Sequence, residues 1–259
     1  MGNIPKGSRR VADAIDIVAQ ARPAASSRQI IKRVGVPRSS GYDLIGCLVE
    51  RKFLQRRTAG HWILGTEIHA LAMSRFGLGH IAEDIASVLS ALQEATQETA
   101  QLAVLNQTRV LVTHISSGVQ SVPLGAEIGA EIPVNWTAAG RLLVSGMNQR
   151  ALRRFLKTNI RPLPNSYTVL DSEQLVREAL DAKHRGYAVE IGQGNQGVGS
   201  ISAPIADQRG NCVAAVSLIL PVVRILNCRD SLVSLVQTAA TKLSRRLISG
   251  KSQFVSLGG

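Results

Sequence analysis

Cysteine is scarce in this chain of 259 residues: Cys47, Cys212 and Cys228 are its complement, and no two stand at a bridging or metal-binding spacing. A disulfide scaffold and a structural zinc site are therefore not expected. Long apolar runs are missing too. The longest, from Cys212 to Val223, is too short for a membrane span and is interrupted by Ser217 and Pro221. The opening MGNIPKGSRR lacks the apolar core of a secretory signal, and Lys6 stands where a myristoylation motif after Gly2 needs Ser or Thr. A soluble, cytoplasmic protein is the expectation. Low-complexity tracts are few and charged residues make up 19%, which argues against long disorder.

Catalytic constellations are absent in the same way. His61, His69, His80, His114 and His184 are scattered without ligand spacing, and no serine sits in a nucleophile elbow. The glycine-rich stretch over 192–199 is not followed by the Lys-Ser/Thr pair of a phosphate loop. An enzyme is not expected, nor is any cofactor or metal.

What is present is apolar content of 45%, ample for a packed core in one large or two modest domains, and an uneven charge. Residues 1–77 carry 13 Lys and Arg against 5 Asp and Glu, a net of +8, whereas residues 78–259 carry 17 against 13, a net of +4. Two-thirds of the excess sits in under a third of the chain, the footprint of a module that faces nucleic acid.

Inside that basic third, ASSRQIIKRVGVPRSSGYDLIGCLVERKFLQRRTAGHW (Ala25 to Trp62) reads as two helices, a tight turn and a hairpin. Ser26 or Ser27 caps a first helix over 28–33, Gly35 permits the turn, and Pro37 begins a second helix. Leu44, Ile45 and Leu48 form its apolar stripe, while Arg38, Ser39, Ser40 and Tyr42 gather at its N-terminal end, where a recognition helix meets base edges. Gln55-Arg56-Arg57 and His61-Trp62 flank a turn at Thr58-Ala59-Gly60, the form of a wing. Expected DNA contacts are Arg9, Arg10, Arg28, Arg38, Ser39, Ser40, Tyr42, Arg56 and Arg57. Residues 1–9 read as a flexible basic arm, and Val11, Ala14, Ile15 and Val18 as a helix packed under the motif.

Beyond it, residues 66–76 are helical in pattern, Gly77 and Gly79 break the chain, and Ile81, Ile85, Val88, Leu89 and Leu92 begin another helix. Residues 100–105 and 109–115 form a hairpin around Asn106-Gln107-Thr108. Residues 137–147 and 173–183 are helical, 201–205 and 213–220 are strands, and 231–248 closes as a helix with Leu232, Leu235, Val236, Ala239 and Leu243 inward. Hairpins beside separated helices give an α+β fold with an antiparallel sheet. The domain expectation is a winged helix-turn-helix over 1–65, a linker helix over 66–80, an effector-binding domain over 81–250 and a flexible tail over 251–259.

In its ordered motifs the chain resembles the IclR family of bacterial transcription regulators over nearly its whole length. Ser8-Arg9-Arg10-Val11, Gly35-Val36-Pro37-Arg38-Ser39-Ser40 and Ile63-Leu64-Gly65 carry the resemblance in the first part. Pro133 with Thr137-Ala138-Ala139-Gly140-Arg141, Asn165-Ser166-Tyr167-Thr168-Val169, Arg185-Gly186-Tyr187-Ala188, Ser202-Ala203-Pro204-Ile205 and Ala214-Ala215-Val216-Ser217 carry it in the second. The resemblance implies a winged helix-turn-helix followed by a GAF-like effector-binding domain, acting as a homodimer or homotetramer on a palindromic DNA operator. It places the effector pocket around Leu124, Ile132, Ala138, Ala139, Glu190, Val198, Ser200, Ser217 and Ile219. A helix starting at Thr137 with small Ala138 and Ala139 leaves its first amides approachable, so an anionic effector is expected to bind there without a buried Arg. Relative to the family, Arg141 replaces a common Lys, Glu190 an Asp, and Ile219 a Ser of acid-binding members, which favours a more apolar ligand. Trp136 is expected to narrow the pocket, and 191–199 to form a mobile lid or else to alter the pocket. Gly41 and Asp43 are departures within the recognition helix.

The resulting expectation is a ligand-responsive, sequence-specific transcription regulator that binds a small organic effector, either a carboxylate or an aromatic metabolite. Sequence-independent DNA binding is the alternative, and an enzyme using the C-terminal pocket the more distant one.

Overall fold

The computed structural model describes residues 6–21, 24–58, 60–118, 127–163, 168–195 and 197–254. Ser26 starts the recognisable motif. Its Oγ accepts from the amide of Gln29 at 3.2 Å while the Gln29 Oε1 accepts from the Ser26 amide at 2.8 Å, a reciprocal capping box that opens α2 (Ser27–Val34). Gly35 closes α2 in the left-handed conformation at φ 71°, and Pro37 then precedes α3 (Arg38–Glu50). Ile30 and Ile31 of α2, Ile45 and Leu48 of α3, and Ala14, Ile17 and Val18 of α1 (Lys6–Gln20) form one core, which Leu54 completes. β2 (Leu54–Thr58) and β3 (His61–Leu64) make the wing, and β1 (Ala25–Ser26) adds a third antiparallel strand in the order β1-β3-β2. The Trp62 indole Nε1 donates to Ser27 Oγ at 2.7 Å and ties the wing back to α2. α4 (Thr66–Ser74) follows.

The chain divides into two compact units, the first ending at Gly79 and the second beginning at His80. In the second, α5 (Ala82–Thr96) ends at Gln97 in the left-handed region and leads into a six-stranded antiparallel sheet. Its strands are β4 (Thr99–Asn106), β5 (Arg109–Ser116), β6 (Glu131–Pro133), β7 (Ala188–Asn195), β8 (Val198–Ala206) and β9 (Cys212–Pro221), in the order β6-β5-β4-β9-β8-β7. Side chains alternate across a strand, and here both faces are covered. Ala103, Val110, Ala188 and Ala215 share a core with α6 (Ala138–Val144), α7 (Gln149–Asn159) and α8 (Ser172–Arg185). The opposite face, with Leu102, Ile201, Ile205 and Leu218 buried, is covered by α5 and α9 (Val222–Phe254). This is an α+β architecture with antiparallel sheets.

Several expectations are corrected. The basic arm is already helical from Lys6, so Arg9 and Arg10 ride on α1; the residues before Lys6 lie outside the described set. On α1 the inward stripe runs through Ile17, while Val11 is 40% exposed. The expected lid is instead strand: Ile191 to Asn195 belong to β7, which pairs with β8. On the last helix Leu235 points outward at 39% exposure. The expected tail is helical as far as Phe254, and 255–259 lie outside the described residues. α7 and β1 went unread in the sequence: β1 is only two residues long, whereas α7 is an amphipathic helix capped by Asn148 with Leu152 and Leu156 inward.

Candidate DNA-reading surface and effector pocket

On the N-terminal unit the first turn of α3 is built to face outward. Gly41, Ile45 and Leu48 are buried, whereas Ser39, Ser40 and Tyr42 lie off that stripe and Arg38 stands at the open end of the helix; all four are exposed, Tyr42 at 59%. Pro37 gives the helix no side-chain cap. The opening amides of α3, with their partial positive charge, therefore lie beside Arg38 and two hydroxyls, a combination suited to phosphate and base edges. Gly41 belongs to the packing rather than the reading surface. An added Cβ there would come within 2.5 Å of Ile31 Cγ1, so glycine is what lets α3 lie against α2. Arg56 and Arg57 extend from β2, whose residues after Leu54 are all exposed, and Arg28 is exposed on α2. Of the nine expected contacts, Arg10 is half-buried and the other eight are exposed.

On the C-terminal unit the expected pocket residues fall mostly on one sheet face. Glu190 pairs with Ser200 across β7 and β8, Ser200 with Ile219 across β8 and β9, and Ile219 with Thr99 on β4. One step along, the row reads Ala188, Ser202, Ser217, Gln101 and Ile115. Val198 alternates onto the same face as Ser200. Ile132, on edge strand β6, packs against the core under α6. Leu124 lies outside the described residues.

A hydrogen-bond chain joins this face to the helix. Thr137 Oγ1 caps α6 by accepting from the amide of Gly140 at 2.9 Å, and Ser200 Oγ accepts from the amide of Ala138 at 3.3 Å. Ser200 donates in turn to Glu190 Oε2 at 3.3 Å, and Glu190 Oε1 accepts from the amide of Gln193. These bonds bear on the anionic effector expected at this helix end. Two of its opening amides are already satisfied by the protein, and the protein's own carboxylate stands one hydroxyl away. Arg141, noted in the sequence only as replacing a common Lys, is buried at 4% exposure. Its guanidinium donates to the carbonyls of Asn135 and Thr137 at 3.2 and 2.8 Å, to Glu178 at 3.1 Å and to Gln193 Oε1 at 2.5 Å. Such a planar fork serves several partners at once, which a lysine ammonium cannot reproduce. Trp136 does not fill the pocket by default either: its Nε1 donates to the carbonyl of Arg161 at 2.8 Å.

Two residues that sequence reasoning passed over matter here. Asn135, fully buried, donates to the carbonyls of Arg161 and Val169 and accepts from the Arg161 amide, fixing the segment beside α6. Gln101 is 4% exposed, and its Oε1 has no hydrogen-bond partner among the described residues. The signal for Gln101 was available, since a polar residue two before Ala103 in an apolar strand must share that residue's inward face. Ser217 Oγ and Ser202 Oγ lie 2.7 Å apart, both fully buried. Among the described residues no group of His, Cys, Asp and Glu is placed to hold a metal ion, and no helix is long and apolar enough to cross a membrane.

Comparison with known proteins accounts for both units. Residues 9–58 match the model of the IclR helix-turn-helix domain, and residues 74–245 match that of the bacterial transcriptional regulator IclR C-terminal domain. The chain is 27% identical to the glycerol operon regulatory protein of Streptomyces griseus over 249 residues, covering 93% of this chain and 96% of that protein. Among solved structures it is similar to an IclR homolog from Microbacterium hydrocarbonoxydans complexed with 4-hydroxybenzoate, at 25% identity and a TM-score of 0.60 over 92% of this chain and 97% of that one. The Thermotoga maritima IclR shares the fold, with a TM-score of 0.62 at 22% identity over 93% of this chain and 98% of that one.

Proposed function

The chain belongs to the IclR family of bacterial transcriptional regulators, and on that premise we propose how it reads DNA and what it senses. Arg38, Ser39, Ser40 and Tyr42 enter the major groove from the opening turn of α3, with Arg56 and Arg57 on the wing and Arg9, Arg10 and Arg28 holding phosphates. The observation that carries this reading is the outward opening of α3: an uncapped helix start, flanked by Arg38, with the rest of the core behind it. The protein acts in the cytoplasm as a homo-oligomer on a palindromic operator, and it works by binding rather than by catalysis. Residues 1–65 form the DNA module, 66–80 the connection, and 81–250 the sensor.

The sensor's ligand is a small organic molecule held on the sheet face by Ile132, Ala138, Ala139, Val198, Ser200, Ser217 and Ile219. Of the two chemistries expected from sequence, the geometry supports an aromatic body better than a small free carboxylate. Glu190 already faces the helix end, and Ile219 offers an apolar wall where a hydroxyl would suit an acid. The 4-hydroxybenzoate bound by the Microbacterium homolog is an aromatic of this kind. Binding favours one arrangement of the paired sensors and so changes the spacing of the recognition helices.

Footprinting over a range of salt, with and without phenolic ligands, tests the reading. A discrete protected site that survives added competitor DNA is expected. Uniform protection that weakens with salt regardless of sequence would instead establish sequence-independent binding. Ser217→Ala is expected to alter ligand response with operator binding intact; if the variant fails to fold, Ser217 is a core residue and nothing more.

A further inference from the structure

Buried polar atoms in a folded protein are almost always hydrogen-bonded, because a bare one forfeits its bonds to water with nothing in return. Gln101 breaks that rule in an informative place. It lies in the middle of β4, a strand whose other inward side chains are apolar, and only 4% of it is exposed. Its Oε1 has no partner among the described residues. Register puts it directly opposite Ser217, whose Oγ is 2.7 Å from Ser202 Oγ. In a hydroxyl pair one member donates and the other accepts, so the accepting serine retains a hydrogen of its own to donate. Opposite residues in an antiparallel pair have Cβ atoms roughly 5 Å apart. An unused acceptor and a spare hydroxyl donor therefore stand side by side on the proposed ligand face.

We infer that Gln101 is a specificity-determining residue of the sensor, accepting a hydrogen bond from a hydroxyl of the effector while the Ser202–Ser217 pair donates to that same hydroxyl oxygen. This rests on the proposed effector site and narrows its ligand class to hydroxylated aromatics, with the hydroxyl directed at β4 and the ring against Ile219 and the start of α6. A methyl in place of the hydroxyl has nearly the same size but leaves Gln101 Oε1 unpaired, and that loss is what makes a polar site discriminate. Other buried features do not carry as much: Glu98 is held through Oε1 by Arg224, which leaves only its Oε2 bare, and the guanidinium of Arg141 is fully occupied.

The test is calorimetric binding to the full chain of two matched pairs, 4-hydroxybenzoate with 4-methylbenzoate and phenol with toluene, repeated on Gln101→Leu and Gln101→Asn. The wild-type protein is expected to bind the hydroxyl member of at least one pair about tenfold more tightly. Gln101→Leu should erase that preference by weakening the hydroxylated compound and leaving its methyl counterpart unchanged or tighter. A second reading needs no ligand. Because the variant removes a bare buried carbonyl oxygen, ligand-free Gln101→Leu should melt no lower than wild type, whereas a structural glutamine would lower the melting temperature. An unchanged hydroxyl preference in Gln101→Leu overturns the role of Gln101 while sparing the effector site. A lowered melting temperature in the free variant overturns it as well. No binding by any of the four compounds overturns both the role and the aromatic reading of the site.

Discussion

Gly41 and Gly46 sit on the same helix with opposite surroundings. A Cβ at Gly41 would press on Ile31, whereas a Cβ at Gly46 meets nothing within 4 Å. Alanine gains about 1 kcal/mol over glycine in a helix, but overpacking a core typically costs 1–3 kcal/mol. Gly46→Ala should therefore raise stability by up to about 1 kcal/mol and Gly41→Ala should lower it by a similar amount, both read from urea unfolding. Glu98 offers a test in pH. It is 3% exposed, and burial raises its carboxyl pKa against the opposing pull of Arg224. A raised folded-state pKa means the protonated form is favoured on folding, so this group's stabilisation is present at low pH and lost as pH rises through the folded value. Glu98→Gln, which cannot ionise, should gain stability relative to wild type at neutral pH, and the gap should close below the carboxylate range. A gap that stays constant with pH would assign the effect to packing alone.

At the scale of elements, α3 is the unit to challenge. Arg38→Ala should weaken operator binding by roughly 1–3 kcal/mol if the guanidinium reads a base edge. A purely phosphate role would instead weaken all sequences alike and reduce the salt slope by about one. Competition gel shifts with operator and scrambled DNA separate the two. Elements with strong local chemistry were legible from sequence: the Ser26 cap, the turn at Gly35, the hairpin at Gln107 and the cap at Thr137 all stand where the residues place them. Those set by tertiary pairing were not. β1 is two residues long and exists only because β3 lies beside it. β7 contains two glycines, Gly192 and Gly194, which read as loop, yet its backbone bonds to β8 hold it as strand. At the site, Ser200 and Glu190 were legible by type, but not their direct bond, because residues ten apart meet only through strand register.

For the molecule as a whole, charge and pattern divide the labour between the halves. The excess positive charge is concentrated in the unit that carries the reading helix, while the second unit buries its polar groups in a sheet covered on both faces. That division made the two-part organisation readable at once, since each half solves a different solvation problem. The pocket's chemistry was less readable, because it depends on which polar groups have already satisfied one another. The link from Glu190 through Ser200 to the start of α6 illustrates the point. If the proposed effector site is the true one, a metabolite bound there must displace this internal substitute, which sets a threshold against simple anions such as acetate. Acetate at millimolar levels should leave the melting temperature unchanged in wild type but shift it in Glu190→Gln, whose side chain no longer repels the intruder. Silence toward common metabolites is then a property of the resting protein, set before any signal arrives.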